Sequence, residues 1–120
     1  MAGGTNPRGA GTSYMYVVKY DTNGIFQWDY TSEASDYYDY ITKIDLDAAG
    51  NVYLLGPNNA GVPTIFKMNS TGALQWNSTI NVDFASDLAV DAGGNSYVAA
   101  GYFDNSAYVI LKYDENGTYR

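Results

Sequence analysis

The sequence predicts an all-β chain built from repeated four-stranded antiparallel units, and three observations carry that prediction. The first is a recurring string: VKYDTNGIFQW at 18–28 returns as FKMNSTGALQW at 66–76 and begins again as LKYDENGTYR at 111–120. Lys19, Lys67 and Lys112 are therefore spaced by 48 and 45 residues, and Gly24, Gly72 and Gly117 by the same two intervals. The second is an interleaved string, IDLDAAGNVYLLG at 44–56 and LAVDAGGNSYVAAG at 88–101, offset by 44 residues between Asp47 and Asp91. The third is that turn residues cut each repeat into four short β-like runs. A period of about 40–50 residues of this kind marks β-propeller blades, because one blade cannot bury both of its faces and must stack on its neighbours.

The elements follow in order within each repeat. Strand 1 is expected at about 40–46 and 86–91, and strand 2 at about 51–56 and 95–101. Between them Ala48-Ala49-Gly50-Asn51 and Ala92-Gly93-Gly94-Asn95 supply residues that tolerate the left-handed backbone of a tight turn. Strand 3 is expected at about 14–20, 63–68 and 107–113, turned by Thr22-Asn23-Gly24, Ser70-Thr71-Gly72 and Glu115-Asn116-Gly117 into strand 4 at about 25–30 and 73–79. Four antiparallel strands per repeat make one blade. No segment carries a sustained helical period, so almost no helix is expected.

Composition excludes several function classes. The chain has 120 residues, with 13 Tyr, 13 Gly, no Cys, no His and a formal charge of −7. Tyrosine suits pleated, half-buried surfaces and glycine punctuates turns, as in extracellular β-proteins. Only six Lys+Arg stand against 13 Asp+Glu, which argues against nucleic acid and against anionic membrane surfaces. Without Cys there is no disulfide, thiolate catalysis or zinc finger. No stretch reaches the ~18 apolar residues of a membrane span, so no membrane insertion is expected. Met1-Ala2-Gly3-Gly4 is not a signal peptide, which places any export signal outside this chain.

An aliphatic-Lys-Tyr-Asp-x-x-Gly hairpin ending in Gln-Trp, followed by Val/Leu-Asp-x-x-Gly-Asn-x-Tyr-aliphatic-x-Gly, resembles the bacterial and archaeal β-propeller repeats of the SBBP type. It is more distantly similar to NHL-type blades. The resemblance covers nearly the whole chain. It implies a secreted or cell-surface propeller, often part of a larger multidomain protein, and it brings no common catalytic residue set.

The ends fall inside blades. Met1-Ala2-Gly3-Gly4 aligns with Val98-Ala99-Ala100-Gly101, and Arg120 stands where Gln27 and Gln75 precede Trp28 and Trp76. The expected array over 1–120 is thus a partial first blade (1–31) lacking strand 1, a second blade (about 38–79) and a third (about 85–120) with a truncated last strand. That gives about eleven strands, with residues 1–13 irregular or paired to another copy. A ring needs roughly 4–8 blades, so the chain is expected either to belong to a longer one or to self-associate.

Several residues invite functional readings. The Asp-rich turns around Asp21, Asp45, Asp47, Asp91 and Asp114 suit a hard cation in residue type, but Ala49 stands where an EF-hand loop requires an oxygen. An Asp before a Gly-containing turn caps its own backbone amides, and that is the expected role, with weak calcium binding as the alternative; no metal ligand is assigned and no cofactor is expected. The repeated lysines should lay their stems on a neighbouring blade and pair with an acid such as Asp45. Trp28 and Trp76 should fill the wedge between blades.

The least repetitive segments are the recognition candidates. Four more residues separate Trp28 from Gly50 than Trp76 from Gly94, and the longer connection carries Asp36-Tyr37-Tyr38-Asp39-Tyr40. In a propeller the 4–1 and 2–3 connections share one face. Tyr37, Tyr38, Asp39 and Tyr40 are therefore expected near Phe84, Tyr102 and Phe103, where aromatics with short polar partners suit a glycan or a peptide surface. The same tyrosines would equally plug a central channel. Asn69, Asn77 and Asn116 head Asn-x-Ser/Thr glycosylation sequons. Two non-catalytic functions remain, an extracellular recognition module for protein or glycan and a self-assembling structural unit. A propeller enzyme is disfavoured for want of His, a nucleophile motif or a metal cluster.

Overall fold

A computed structural model describes residues 2–5, 14–31, 41–58, 61–104 and 107–120. Ten strands run in chain order: β1 Ala2–Thr5, β2 Tyr14–Tyr20, β3 Phe26–Thr31, β4 Lys43–Leu46, β5 Val52–Pro57, β6 Pro63–Met68, β7 Leu74–Thr79, β8 Phe84–Val90, β9 Ser96–Gly101 and β10 Tyr108–Tyr113. They form three antiparallel sheets, β1-β2-β3, β4-β5-β6-β7 and β8-β9-β10, each a simple meander. The chain is all-β, with no helix among the described residues.

The turns explain why strands pair in this register. In each of five, an Asp or Asn carboxyl or amide oxygen accepts the backbone N–H groups two and four residues on. Asp21 takes those of Asn23 and Ile25, Asp47 those of Ala49 and Asn51, and Asn69 those of Thr71 and Ala73. Asp91 and Asp114 do the same for Gly93 and Asn95 and for Asn116 and Thr118. The residue three on is always glycine at positive φ, from 77° at Gly24 to 90° at Gly72, which a Cβ would oppose. β2 and β6 carry the same register shift, after Lys19 and Lys67, so the two hairpins share a bulge as well as a sequence.

Two apolar layers separate the three sheets, and β5 feeds both. Its side chains alternate, and Val52 and Leu54 join Met15, Val17, Phe66 and Met68 between the first and second sheets. Tyr53 and Leu55 point the other way, to Ile65, Leu88, Val98, Ala100 and Tyr113 between the second and third. Every residue from Val52 to Gly56 is buried, as expected of a strand covered on both faces.

Three expectations need correction. Ala2–Thr5 is not irregular but a regular strand, pairing Ala2 with Val17 and Thr5 with Tyr14; this matches the pairing of Ala99 with Ile110 and gives the stub a backbone partner within its own chain. The last strand is reduced to a single bridge, Tyr113 to Tyr119, which leaves ten strands rather than eleven among the described residues. Lys67 does not pair with Asp45: its ammonium donates to the Glu115 carbonyl at 3.1 Å and lies 5.3 Å from the Tyr53 ring centre. Asp45 instead accepts the Val90 N–H at 2.8 Å, tying the second sheet to the third.

Candidate functional site

Two surfaces that involve the third sheet gather the groups suited to recognition. The first centres on Gly101, which the sheet register places opposite both Phe84 and Tyr108. Lacking a side chain, it leaves room for the Phe84 ring; a Cβ there would stand 2.5 Å from Phe84 Cζ and 2.9 Å from the Ala107 carbonyl. Phe84 then packs at 5.3 Å and 30° on Phe103 and edge-on at 6.2 Å against Tyr108. Phe103 is 74 % exposed, and its backbone N–H donates to Asp83 Oδ2 at 2.8 Å.

The second surface is a cleft of about 440 Å³ between β7 and β10, lined by Ser78, Thr79, Asn81, Tyr102, Leu111, Tyr113, Gly117 and Tyr119. Tyr102 donates its hydroxyl to the Asn81 carbonyl at 3.2 Å. Tyr119 stands edge-on to Tyr113 at 5.7 Å, and the Ser78 hydroxyl donates to the Gly117 carbonyl. Leu111 and Tyr113 make an apolar floor, with tyrosines and short polar groups around it. Burial, and then the neighbouring Tyr119, raise the Tyr113 pKa, so its phenol stays neutral at physiological pH.

Of the residues the sequence singles out, the structure brings Phe84 and Phe103 together. Tyr102 diverges from Phe103, its chain neighbour, and turns into the cleft and the apolar layer behind it. Tyr37, Tyr38, Asp39 and Tyr40 lie outside the described residues. Tyr108, Asn81, Asp83 and Tyr119 were not singled out. The alternation Tyr108, Ile110, Lys112 along β10 carried a signal for Tyr108, since it puts an aromatic on the same face as a repeated lysine. Asp83 and Asn81 carried none, because their roles arise from a loop-to-loop contact.

The carboxylates of Asp47 and Asp91 are committed to their turns. In Asp47, burial opposes the charge, but bonds from the Asn51 side chain and backbone, the Tyr53 hydroxyl and the Ala49 N–H outweigh it and hold the pKa below the ordinary value. Asp91 is held down by the Asn95 side chain and backbone and then by Tyr97 and Gly93. Both oxygens of each are occupied by these donors, a capping arrangement rather than an open cation site. Among the sequon asparagines, Asn69 has its Oδ1 engaged by Thr71 and Ala73, whereas Asn77 and Asn116 are exposed.

No protein-family model and no curated protein matches this chain.

Proposed function

We propose that the three sheets are consecutive β-propeller blades of the SBBP type, and that the chain is a non-catalytic module, secreted or at the cell surface, which recognises a protein or a glycan. The blade reading is supported by the meander order of the four-stranded sheet and by the recurrence of one inter-sheet contact: Trp28 donates to the Ser70 carbonyl as Trp76 does to that of Glu115. The observation that carries the recognition reading is Phe103, an exposed aromatic whose backbone is tethered to Asp83 and whose ring packs on Phe84. Flat apolar area that is already ordered binds sugar faces and peptide side chains at little entropic cost. The chain's acidity, −7 overall, points to neutral or basic partners.

A glycan array and a peptide library probed with the wild-type chain test this, with Phe103→Ala as the control. Binding that Phe103→Ala abolishes without lowering the melting temperature supports the reading; binding that survives the change removes this cluster as its seat.

A second reading, a self-assembling structural unit, is favoured by a different observation. The outer faces of the first and third sheets both carry exposed large apolar side chains, Tyr20 and Phe26 on one and Tyr108 and Ile110 on the other.

A further inference from the structure

We infer that the outer face of the third sheet docks onto the outer face of the first sheet of a second copy, head to tail, repeating a contact the chain already makes twice within itself. This rests on the self-assembly reading and adds to it the surfaces and their polarity.

Equivalent positions in the three sheets define the contact. Val17, Ile65 and Ile110 each stand two residues before a repeated lysine. Val17 is buried against the second sheet and Ile65 against the third, whereas Ile110 is 72 % exposed. On the opposite face, the residue after each lysine is Tyr20, Met68 or Tyr113. Met68 is buried under the first sheet and Tyr113 under the second, whereas Tyr20 is 51 % exposed. In both internal contacts, then, the isoleucine-type face covers the face that bears the residue following the lysine. Among the described residues, one of each, Ile110 and Tyr20, is left exposed, and they are of complementary kind.

The polar groups of the contact are laid out in the same way. Lys112 sits 5.5 Å from the centre of the Tyr97 ring, as Lys67 sits 5.3 Å from that of Tyr53. The Tyr97 hydroxyl donates to Asp91 at 3.2 Å, as that of Tyr53 does to Asp47 at 3.0 Å. Lys67 completes the internal contact by donating to the carbonyl of Glu115, the second residue of the next hairpin turn. The corresponding carbonyl on the first sheet is that of Thr22, in a turn whose Gly24 has open space where Gly72 and Gly117 meet a tryptophan ring. Lys112 is thus poised to donate to Thr22 of the second copy. The shared face also holds a shallow depression of about 180 Å³ lined by Leu88, Tyr97, Ala99 and Ile110 among others, suited to an incoming aromatic such as Tyr20. A contact between two different faces either closes into a ring or runs on as a filament.

Analytical ultracentrifugation of the full chain and of two variants tests the polarity, since each substitution lies at an exposed position and spares the core. Wild type should gain mass with concentration, while Ile110→Lys and Tyr20→Lys alone should each remain at single-chain mass. Mixed in equal amounts, the two variants should form a species of twice the chain mass and no larger, because the Tyr20 face of the first meets the Ile110 face of the second and the other faces are blocked. Wild type that stays monomeric at high micromolar concentration overturns both the inference and the self-assembly reading. Assembly of Tyr20→Lys alone, or a mixture that does not associate, overturns the head-to-tail polarity while leaving self-assembly standing.

Discussion

Trp76 and Gly117 are fitted to each other across the gap between the second and third sheets. A Cβ on Gly117 would stand 2.7 Å from ring carbons Cδ2 and Cε3 of Trp76, and the indole N–H of that ring donates at 3.0 Å to the Glu115 carbonyl in the same turn. Trp28 repeats the fit one sheet earlier, with its Cδ2 2.7 Å from the Cβ position of Gly72 and its N–H 2.9 Å from the Ser70 carbonyl. In each case one tight turn supplies both the acceptor and the bare backbone on which the indole rests.

These glycines should therefore separate by context when changed to alanine. Gly24→Ala, at φ 77° with nothing within 4 Å, meets only the steric strain of a left-handed backbone, a cost of about 1–2 kcal/mol for an L-residue. Gly72→Ala and Gly117→Ala suffer that cost plus the collision with the indole, for which overpacking adds about 1–3 kcal/mol. Urea denaturation of the three variants should place Gly24→Ala above the other two in stability. Equal losses at all three sites would show that the indoles yield freely.

Tyr53 and Tyr97 are a second matched pair, one covered and one open. The Tyr53 hydroxyl lies 3.0 Å from Asp47 Oδ2 and 3.2 Å from the Gly94 carbonyl and is buried. Tyr53→Phe should cost about 1.5–3 kcal/mol, the range for a hydrogen bond to a charged group. It should also raise the Asp47 pKa, because one of the bonds that stabilise the carboxylate is lost. Tyr97→Phe removes the analogous bond to Asp91 from an uncovered face and should cost much less. Chemical denaturation measures the first effect and carbon-detected NMR titration of the Asp47 carboxyl the second.

What could be read from the sequence was set by what repeats. The alignment of Lys19, Lys67 and Lys112 located strands to within a few residues, and the offset of Asp47 and Asp91 identified the capped turns, because both follow from local backbone chemistry. The pairing of Ala2 with Val17 was implicit in the match of Met1–Gly4 to Val98–Gly101, but that a four-residue stub forms a regular strand depends on the partner edge waiting at β2. The lysine partner was misread for a physical reason: sequence shows charges, and the Glu115 carbonyl that accepts from Lys67 belongs to backbone brought close only by sheet stacking. Phe84 and Phe103 were legible as departures from the repeat, whereas the support that Asp83 gives Phe103 is a contact between loops and leaves no periodic trace.

Acid should destabilise the chain through its turns. Asp47, Asp91 and Asp114 all have pKa values below the ordinary carboxylate value in the folded state. A depressed folded pKa contributes stability that is fully present above the unfolded value of about 3.9 and is lost as pH falls through the folded one. The melting temperature should be insensitive to these groups from pH 7 to about 5 and then decline below about pH 4. Asp91→Asn should flatten that decline. Its Oδ1 can keep the two backbone bonds, as Asn69 does natively, while the donors to Oδ2 from Asn95 and Tyr97 are lost, so the melting temperature at pH 7 should drop modestly. An acid limb identical to wild type would show that Asp91 contributes nothing to it.

Ser96 offers the opposite sign of effect. It begins β9 at the position Val52 holds in β5, fully buried, and its hydroxyl finds no hydrogen-bond partner among the described residues. A buried polar group without a partner costs about 1–3 kcal/mol, and serine is a poor filler of a layer whose other members are Val98, Leu88 and Tyr113. Ser96→Ala removes the hydroxyl without adding volume and should stabilise the fold by up to about 1–2 kcal/mol, or roughly 4 °C per kcal/mol in melting temperature for a chain of this size. Ser96→Val reproduces the residue of the preceding repeat and should gain further if the layer admits two more methyl-sized groups, or lose if it is already at full density. Thermal denaturation of both variants separates the two contributions, and a loss of stability in Ser96→Ala would mean that the hydroxyl is satisfied in solution.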